Sequence, residues 1–237
     1  MELAEHHRDF KRFSFLSMFT NPSTTFASLR AKPKWFYPTA FSALASVACN
    51  YYVIHRIGLA RIVESALDGK HVVDPQGAIQ NVLSHRGIVL AVQSASIFIN
   101  VFVIALVTAT VLWLLLTACG HDISLRKALS VVAHANMLSV VIKSSMIVLT
   151  IAALRDVSAF DLRNPLATNM AFFLKPSSPE AFHILVSLDA IKIMNLALLI
   201  IGFSRICQAL STGRAALLVL IPWVIYRAIS FYVPLFR

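Results

Sequence analysis

The sequence predicts an all-α polytopic membrane protein with five transmembrane helices and an amphipathic interfacial segment at its N-terminus. Composition is the first observation: 58% of the 237 residues are hydrophobic, 14% are charged, and the mean hydropathy is +0.74. Soluble domains carry about 25% charged residues. The second observation is a series of apolar runs that reach the roughly 20 residues needed to cross a hydrocarbon core of about 30 Å. The third is that aromatic residues flank the first run, as in a membrane-interface belt.

The apolar runs place the five predicted spans. The second run is the longest and corresponds to about 48 Å of helix at about 1.5 Å per residue, which exceeds the hydrocarbon thickness. We therefore expect its first third to project from the bilayer or to line a protein interior, with Val101–Cys119 as the uninterrupted part. Pro222 lies inside the fifth run and predicts a kink. The predicted spans are 35–54, 88–119, 125–153, 185–210 and 215–233.

Residues 1–34 are predicted to form a cytoplasmic N-terminal region, and residues 35–237 the five-helix transmembrane domain. Apolar and basic side chains are mixed in the N-terminal region, which is typical of a short helix lying among lipid headgroups with its basic side outward. A disordered leader is the alternative. No cleavable signal peptide is expected, because the first long apolar run starts only near Trp35. The predicted membrane-surface residues are Phe13, Phe15, Phe19, Phe26, Arg30, Lys32 and Lys34.

The charge distribution predicts partners and orientation. A formal net charge of +10 favours contact with anionic lipid surfaces. Nucleic-acid binding is not expected, because the basic residues are scattered at span ends rather than gathered in one stripe. Lysine and arginine are densest in the short turns that share a side with the N-terminus, which predicts a cytoplasmic N-terminus.

Ionisable and amide side chains interrupt three of the predicted spans. Asp189 and Lys192 would be i, i+3 neighbours on a single helix over 185–202. Because a charge at the membrane centre costs about 2.5–3.5 kcal/mol, and Lys143 is expected at a similar depth, the sequence predicts that Asp189 pairs with Lys143 or Lys192. Two interpretations of these residues stay open: snorkelling or mutually neutralised structural charges, and an intramembrane site, which is the default hypothesis for ionisable residues at this depth. The predicted intramembrane polar cluster is Asp189, Lys192, Lys143, His134, Asn100 and Asn195.

Catalytic chemistry is not predicted. The sequence contains no nucleotide-binding, zinc-protease or nucleophile-elbow motif. Only one acidic residue lies inside a span, so a paired-carboxylate mechanism has no basis. His134 could relay protons, although a histidine bonded to a neighbouring helix is the commoner case. The cysteines occur singly, without metal-ligand or disulfide spacing. We therefore expect no enzymatic activity, no cofactor and no metal.

Four passages have an order and spacing that can be compared with known families. The first precedes span one, the second enters span three, the third lies in the connection before span four, and the last crosses spans four and five. They are FTNPSTTFASLRAKPKW, GHDISLRKALSVVAHANM, NPLATNMAFFL and LDAIKIMNLALLIIGFSRICQALSTGRAALLVLIPW.

These passages resemble the Yip family of Ypt/Rab-interacting membrane proteins, and in particular its bacterial members. The resemblance implies five membrane helices, a cytoplasmic N-terminus and no enzymatic activity. Two residues depart from the family pattern: Met194 stands where many relatives carry Trp, and Met137 stands where many carry Pro. Because this proline is missing, span three is expected to be straighter here. The residues matched to family motifs are Pro22, Gly120, Asp189 and Gly202.

Three functions remain open from the sequence. The leading one is a non-catalytic adaptor or accessory subunit that binds another membrane protein. In eukaryotic relatives, the resemblance implies vesicle traffic through Rab GTPases. In bacteria it implies a transport complex such as an ABC-type exporter, or an envelope complex, in the inner membrane. The second is a small permease or channel lined by Asp189, Lys143, His134 and Asn100. The third is a lipid-binding, membrane-shaping protein. A homo-oligomer is compatible with each.

Overall fold

The computed structural model describes residues 15–68, 73–162, 164–174 and 178–232, and within them the regular structure is helical. Two short helices and a longer one open the described part, and four helices of 17 residues or more follow later in the chain. The all-α prediction is confirmed. The helices are α1 (Phe15–Thr20), α2 (Pro22–Leu29), α3 (Phe36–Ile57), α4 (Leu59–Leu67), α5 (Pro75–Ser84), α6 (Arg86–Ala118), α7 (Leu125–Ala153), α8 (Met170–Leu174), α9 (Pro179–Ser187), α10 (Ala190–Ile206) and α11 (Thr212–Tyr232), with a 3-10 turn at Val157–Ala159.

Three helices are long and apolar enough to cross a membrane by length and composition: α6, α7 and α11. Helices also occupy the first and fourth predicted spans, as α3 and α10. However, α10 has only 17 residues, or about 26 Å at about 1.5 Å per residue. The structure therefore supports a membrane-spanning helical protein, and the count of five crossings stays a prediction.

The chain forms two compact units, and each consists of segments that are far apart in the sequence. The first contains residues 1–39, 105–139 and 193–237, and the second contains 40–104 and 140–192. The boundary between residues 34 and 35 stays a prediction. Several long helices contribute residues to both units, so the units are not separate lengths of chain.

In the first unit, the connection before α3 is fixed to α7 by a serine. The Ser130 hydroxyl donates to the Lys34 carbonyl oxygen at 3.0 Å and accepts from the Lys34 amide at 3.0 Å. Ser130 is fully buried and lies among buried apolar residues of α7. This contact sets where α3 begins.

In the second unit, a buried apolar cluster joins α3, α7 and the connection that follows α7. Its centre consists of Ile57, Ile151 and Phe160. Arg61 on α4 holds the same connection, because its guanidinium donates to the carbonyl oxygens of three residues there, including that of Phe160 at 3.1 Å. The turn itself starts at Asp156, whose carboxylate accepts from the Ser158 amide and hydroxyl. These bonds lower the pKa of Asp156 below its usual value, with Arg61 contributing less.

We expect Arg61→Ala to loosen this connection. Hydrogen bonds to a charged group contribute about 1.5–3 kcal/mol each when desolvated, and less at a partly exposed site such as this one. Limited proteolysis should therefore cut faster within residues 154–162. Arg61→Lys should recover part of the protection, since an ammonium lacks the planar fork of guanidinium. The exposed Arg56→Ala is the matched control, and equal cleavage of Arg61→Ala and Arg56→Ala would contradict the role of Arg61.

Candidate functional site

Asp189 is the N-cap of α10 rather than a residue within a continuous helix. The chain leaves α9 after Ser187 and re-enters a helix at Ala190. One Asp189 carboxylate oxygen accepts from the amides of Ile191 at 2.8 Å and Lys192 at 3.1 Å. The expectation of one helix over 185–202 is therefore wrong. The physical reason is that an aspartate side chain satisfies the free amides of a new helix start better than it tolerates a helix interior.

The second carboxylate oxygen of Asp189 reaches back along the chain. It accepts from the Thr168 hydroxyl at 2.8 Å. Two backbone bonds run beside it, from the Ala190 amide to the Thr168 carbonyl oxygen at 2.8 Å and from the Met170 amide to the Leu188 carbonyl oxygen at 3.3 Å. Residues 168–170 are thus clamped to the start of α10.

A buried pair of asparagines shapes the other end of this clamp. Asn164 and Asn169 are only 6% and 5% exposed. The Asn169 amide nitrogen donates to the Asn164 side-chain oxygen at 2.7 Å, and the Asn169 oxygen accepts from the Phe172 amide at 3.1 Å. Because buried amides need partners, this pair fixes the turn that begins at Asn164-Pro165 and ends in α8. We call Asn164, Thr168, Asn169 and Asp189 the polar clamp.

Neutral donors, not a lysine, contact the Asp189 carboxylate in the described bonds. The Lys192 ammonium donates to the Val186 carbonyl oxygen at 3.1 Å. Lys143 is exposed on α7. The predicted pairing of Asp189 with Lys143 or Lys192 is therefore replaced by capping bonds. A carboxylate that accepts from two amides and a hydroxyl is already well stabilised, so a cation is not needed to hold it.

The remaining members of the predicted cluster divide into buried and exposed residues. His134 is buried, and its Nδ1 donates to the Ser130 carbonyl oxygen at 2.7 Å, one turn earlier on the same helix. The Asn195 amide donates to the Asn136 side-chain oxygen at 3.2 Å, which joins α10 to α7 within the first unit. Asn100 is exposed on α6. It therefore does not line an interior of the second unit.

The predicted membrane-surface helix is α2, but its apolar side faces protein. Asn21 caps it by accepting from the Thr24 amide at 3.2 Å, and Pro22 opens its first turn. Phe26 is fully buried and Leu29 is 3% exposed. The expectation that Phe26 faces lipid is therefore wrong, because an amphipathic pattern is equally satisfied by a protein surface.

Gly202 provides the space that Phe26 occupies. A Cβ atom on Gly202 would lie 3.1 Å from Phe26 Cε1 and 2.5 Å from Val131 Cγ1. Glycine is thus required here for close approach of α2, α7 and α10. The Arg30 guanidinium completes the contact by donating to the Arg205 carbonyl oxygen in the last turn of α10, where a cation is favourable.

The other predicted surface and family-motif residues have simpler positions. Phe19, Lys32 and Lys34 are exposed. Gly120 has a φ of +80° in the turn between α6 and α7, a conformation that favours glycine. Phe13 and the side chain of Phe15 lie outside the described residues.

Sequence reasoning missed Thr168, whose hydroxyl donates to Asp189, and the neighbouring pair Asn164 and Asn169. The available signal was Asp189 itself, which directly precedes the apolar run of α10 and so fits a helix start. Its partner Thr168 is 21 residues earlier in the chain, and no local pattern connects the two. Among the described residues, no group of three or more His, Cys, Asp or Glu side chains could hold a metal ion.

The Yip1 domain family model matches residues 16–233, nearly the whole chain. No curated protein and no solved structure matches it. The family is associated with membrane trafficking and is not known for enzymes. With helices long and apolar enough to cross a membrane and a family match of this extent, the chain belongs to the Yip1 domain family and is an integral membrane protein.

Proposed function

We propose that this protein is a non-enzymatic membrane adaptor whose transmembrane surface binds another membrane protein. The observation that carries this proposal is the exposure of Asn100 on α6 and Lys143 on α7, the two most apolar of the candidate spans. A polar or charged side chain that faces hydrocarbon is costly, and such residues usually find a partner. A transmembrane helix of a second protein can supply one.

One contact in the second unit supports a position of Asn100 at membrane depth. The Gln93 amide on α6 donates to the Asn50 side-chain oxygen on α3 at 3.4 Å, so the two helices approach there. If α3 and α6 cross the bilayer in opposite directions, as the proposed five crossings require, Asn100 is seven residues further along α6 and level with about Ala43, near the middle of α3. The aromatic residues that open α3 and the tyrosines near its end mark the two interfaces. This register supports a position of Asn100 well inside the bilayer.

The setting that we propose is a bacterial inner membrane with the N-terminus in the cytoplasm and α3 and α10 completing five crossings. Exposed apolar and aromatic side chains along α3, including Phe41, Leu44 and Tyr51, support its contact with lipid. The alanine-rich sequence and compact connections support the bacterial setting. A transport complex such as an exporter is the proposed class of partner. The Rab-dependent role belongs to eukaryotic relatives.

The permease and membrane-shaping alternatives receive less support. A conduction path would need the Asp189 carboxylate to be available to the permeant, whereas the bonds of the polar clamp already occupy it. A membrane-shaping helix would need the apolar side of α2 to be available to lipid, but Phe26 is buried.

The test is photo-crosslinking in the native membrane, with a benzophenone amino acid at position 100 or 143 of the full chain. We expect adducts whose mass exceeds that of this chain plus lipid. We also expect the double variant Asn100→Leu with Lys143→Leu to lose co-purification of the crosslinked protein, while its Tm stays unchanged. The matched control is position 149, another exposed residue of α7. Lipid adducts alone at 100 and 143 would exclude the adaptor surface and leave Lys143 as a snorkelling residue.

A further inference from the structure

Helix α8 exposes apolar side chains over most of its surface. Phe173 is 66% exposed and Leu174 is 59% exposed, while Met170 and Phe172 exceed 40%. Only Ala171 is buried. Successive residues of an α-helix project about 100° apart, so the three residues from Phe172 to Leu174 cover about 200° of its circumference. A helix that is apolar on so many sides is typical of a membrane environment.

Helix α9 extends this apolar surface. It contacts α8, and it adds the exposed Ile184 and, just after its end, Leu188. No charged residue occurs from Asn164 to Leu174 or from Ala181 to Leu188. We call the six residues Met170, Phe172, Phe173, Leu174, Ile184 and Leu188 the hairpin apolar surface.

The hairpin apolar surface directly precedes α10, the fourth of the proposed crossings. Leu188 immediately precedes the polar clamp, from which α10 starts. Helix α10 corresponds to about 26 Å, which is shorter than the roughly 30 Å of hydrocarbon. The hairpin is held at one end of this short helix.

We propose that the hairpin apolar surface inserts into the leaflet next to the start of α10, where lipid acyl chains cover it. A groove in a partner protein would bury one stripe of a helix, whereas lipid can cover all the exposed sides of α8 at once. The two adjacent phenylalanines then lie near the interface, where aromatic side chains are enriched. The polar clamp, through its bonds from Thr168 and Met170 to the start of α10, holds the hairpin at this depth. This inference rests on the proposed crossing by α10 and is independent of the adaptor surface.

Spin-label accessibility in vesicles tests the proposal. The full-length chain, with Cys49, Cys119 and Cys207 replaced by serine, is labelled at Phe173→Cys or Leu174→Cys and reconstituted into phosphatidylcholine–phosphatidylglycerol vesicles. Two exposed positions serve as references: Val103→Cys on α6 for lipid, and Val73→Cys in the connection before α5 for water. We expect the labels at 173 and 174 to follow the lipid reference, with high collision rates with oxygen and low rates with a nickel chelate.

Two outcomes would overturn the proposal. Nickel accessibility like that of Val73→Cys would show that water covers the surface. Low accessibility to both reagents would show that protein covers it, which Ala171→Cys, a buried position on the same helix, calibrates. Both labelled sites are exposed, so neither label should disturb packing, and a monodisperse elution profile confirms the fold of each variant. Crosslinking at positions 100 and 143 has no bearing on either outcome, so failure here is distinguishable from failure of the adaptor proposal.

Discussion

Gly202→Leu is expected to lower the Tm of the detergent-solubilised protein more than a substitution at the open helical position Gly87 does. Even the first added carbon, in Gly202→Ala, would lie 2.5 Å from Val131 Cγ1. Val131 is fully buried, and a β-branched side chain in a helix has essentially one rotamer, so it cannot move aside. Overpacking of this kind costs about 1–3 kcal/mol and sometimes more.

The series Gly202→Ala, Gly202→Leu should be graded. Alanine recovers about 1 kcal/mol of helix propensity, which offsets part of its clash, whereas leucine adds further atoms to a filled space. For a chain of this size, each kcal/mol corresponds to roughly 2–4 °C of Tm. Gly87→Ala is the matched control, because Gly87 is also helical and has no neighbour within 4 Å of an added Cβ. A Gly202→Leu protein as stable as Gly87→Ala would contradict the packing of α2 against α10.

A double variant of Phe26 and Gly202 tests whether the Phe26 side chain is buried in protein or faces lipid. Phe26→Ala opens a cavity and is itself expected to cost about 3–5 kcal/mol. In the double variant Phe26→Ala with Gly202→Leu, the leucine can enter that cavity, so the total loss should be smaller than the sum of the two. If α2 instead lay on the bilayer with Phe26 in lipid, the two losses would simply add.

The positions of the long helices could be predicted from the sequence because each contains an apolar run of membrane length. Helices α6, α7 and α11 match three of those runs closely. The partner of an amphipathic face could not be predicted, because lipid and a protein groove select the same spacing of Phe26 and Leu29. The contact depends on Gly202, which is 176 residues after Phe26 (202 − 26). Because glycine has no side chain, the sequence pattern does not identify it as the partner of Phe26.

The polar clamp could not be predicted from the sequence for a related reason. A hydropathy pattern indicates the depth of a residue in the membrane and the periodicity of its helix. At Asp189 both favoured a buried carboxylate within one long helix, and a carboxylate in that position would need a cation as its partner. The hydrogen bonds that actually satisfy the carboxylate come from backbone amides and from Thr168. Those partners are defined only once the chain has turned at Asn164-Pro165 and returned to α10. The exposure of Asn100 and Lys143 could not be predicted from the sequence either, since a polar residue within an apolar run can face inward or outward.

Asp189→Ala is expected to destabilise the protein strongly, whereas Asp189→Asn should be much milder. Loss of an aspartate N-cap costs about 0.5–2 kcal/mol, and asparagine is as good a cap as aspartate. Alanine also leaves the Thr168 hydroxyl without its acceptor, which adds about 1 kcal/mol or more in a partly buried site. The measurement is thermal unfolding, together with hydrogen exchange of the Ile191 and Lys192 amides, which should accelerate in Asp189→Ala alone.

An ion-pair role for Asp189 leads to the opposite result. Neutral asparagine would then be about as damaging as alanine, and Lys143→Met or Lys192→Met would restore part of the loss by removing a stranded ammonium group. Under the capping role, neither lysine substitution rescues Asp189→Ala, and Thr168→Val combined with it adds little further loss, because both remove the same bond. The exposed cap Asp74, which accepts from Gly77 at 2.8 Å, provides the comparison. Asp74→Ala loses one exposed bond and should cost less than Asp189→Ala, whose carboxylate also holds the connection before α8 to the start of α10.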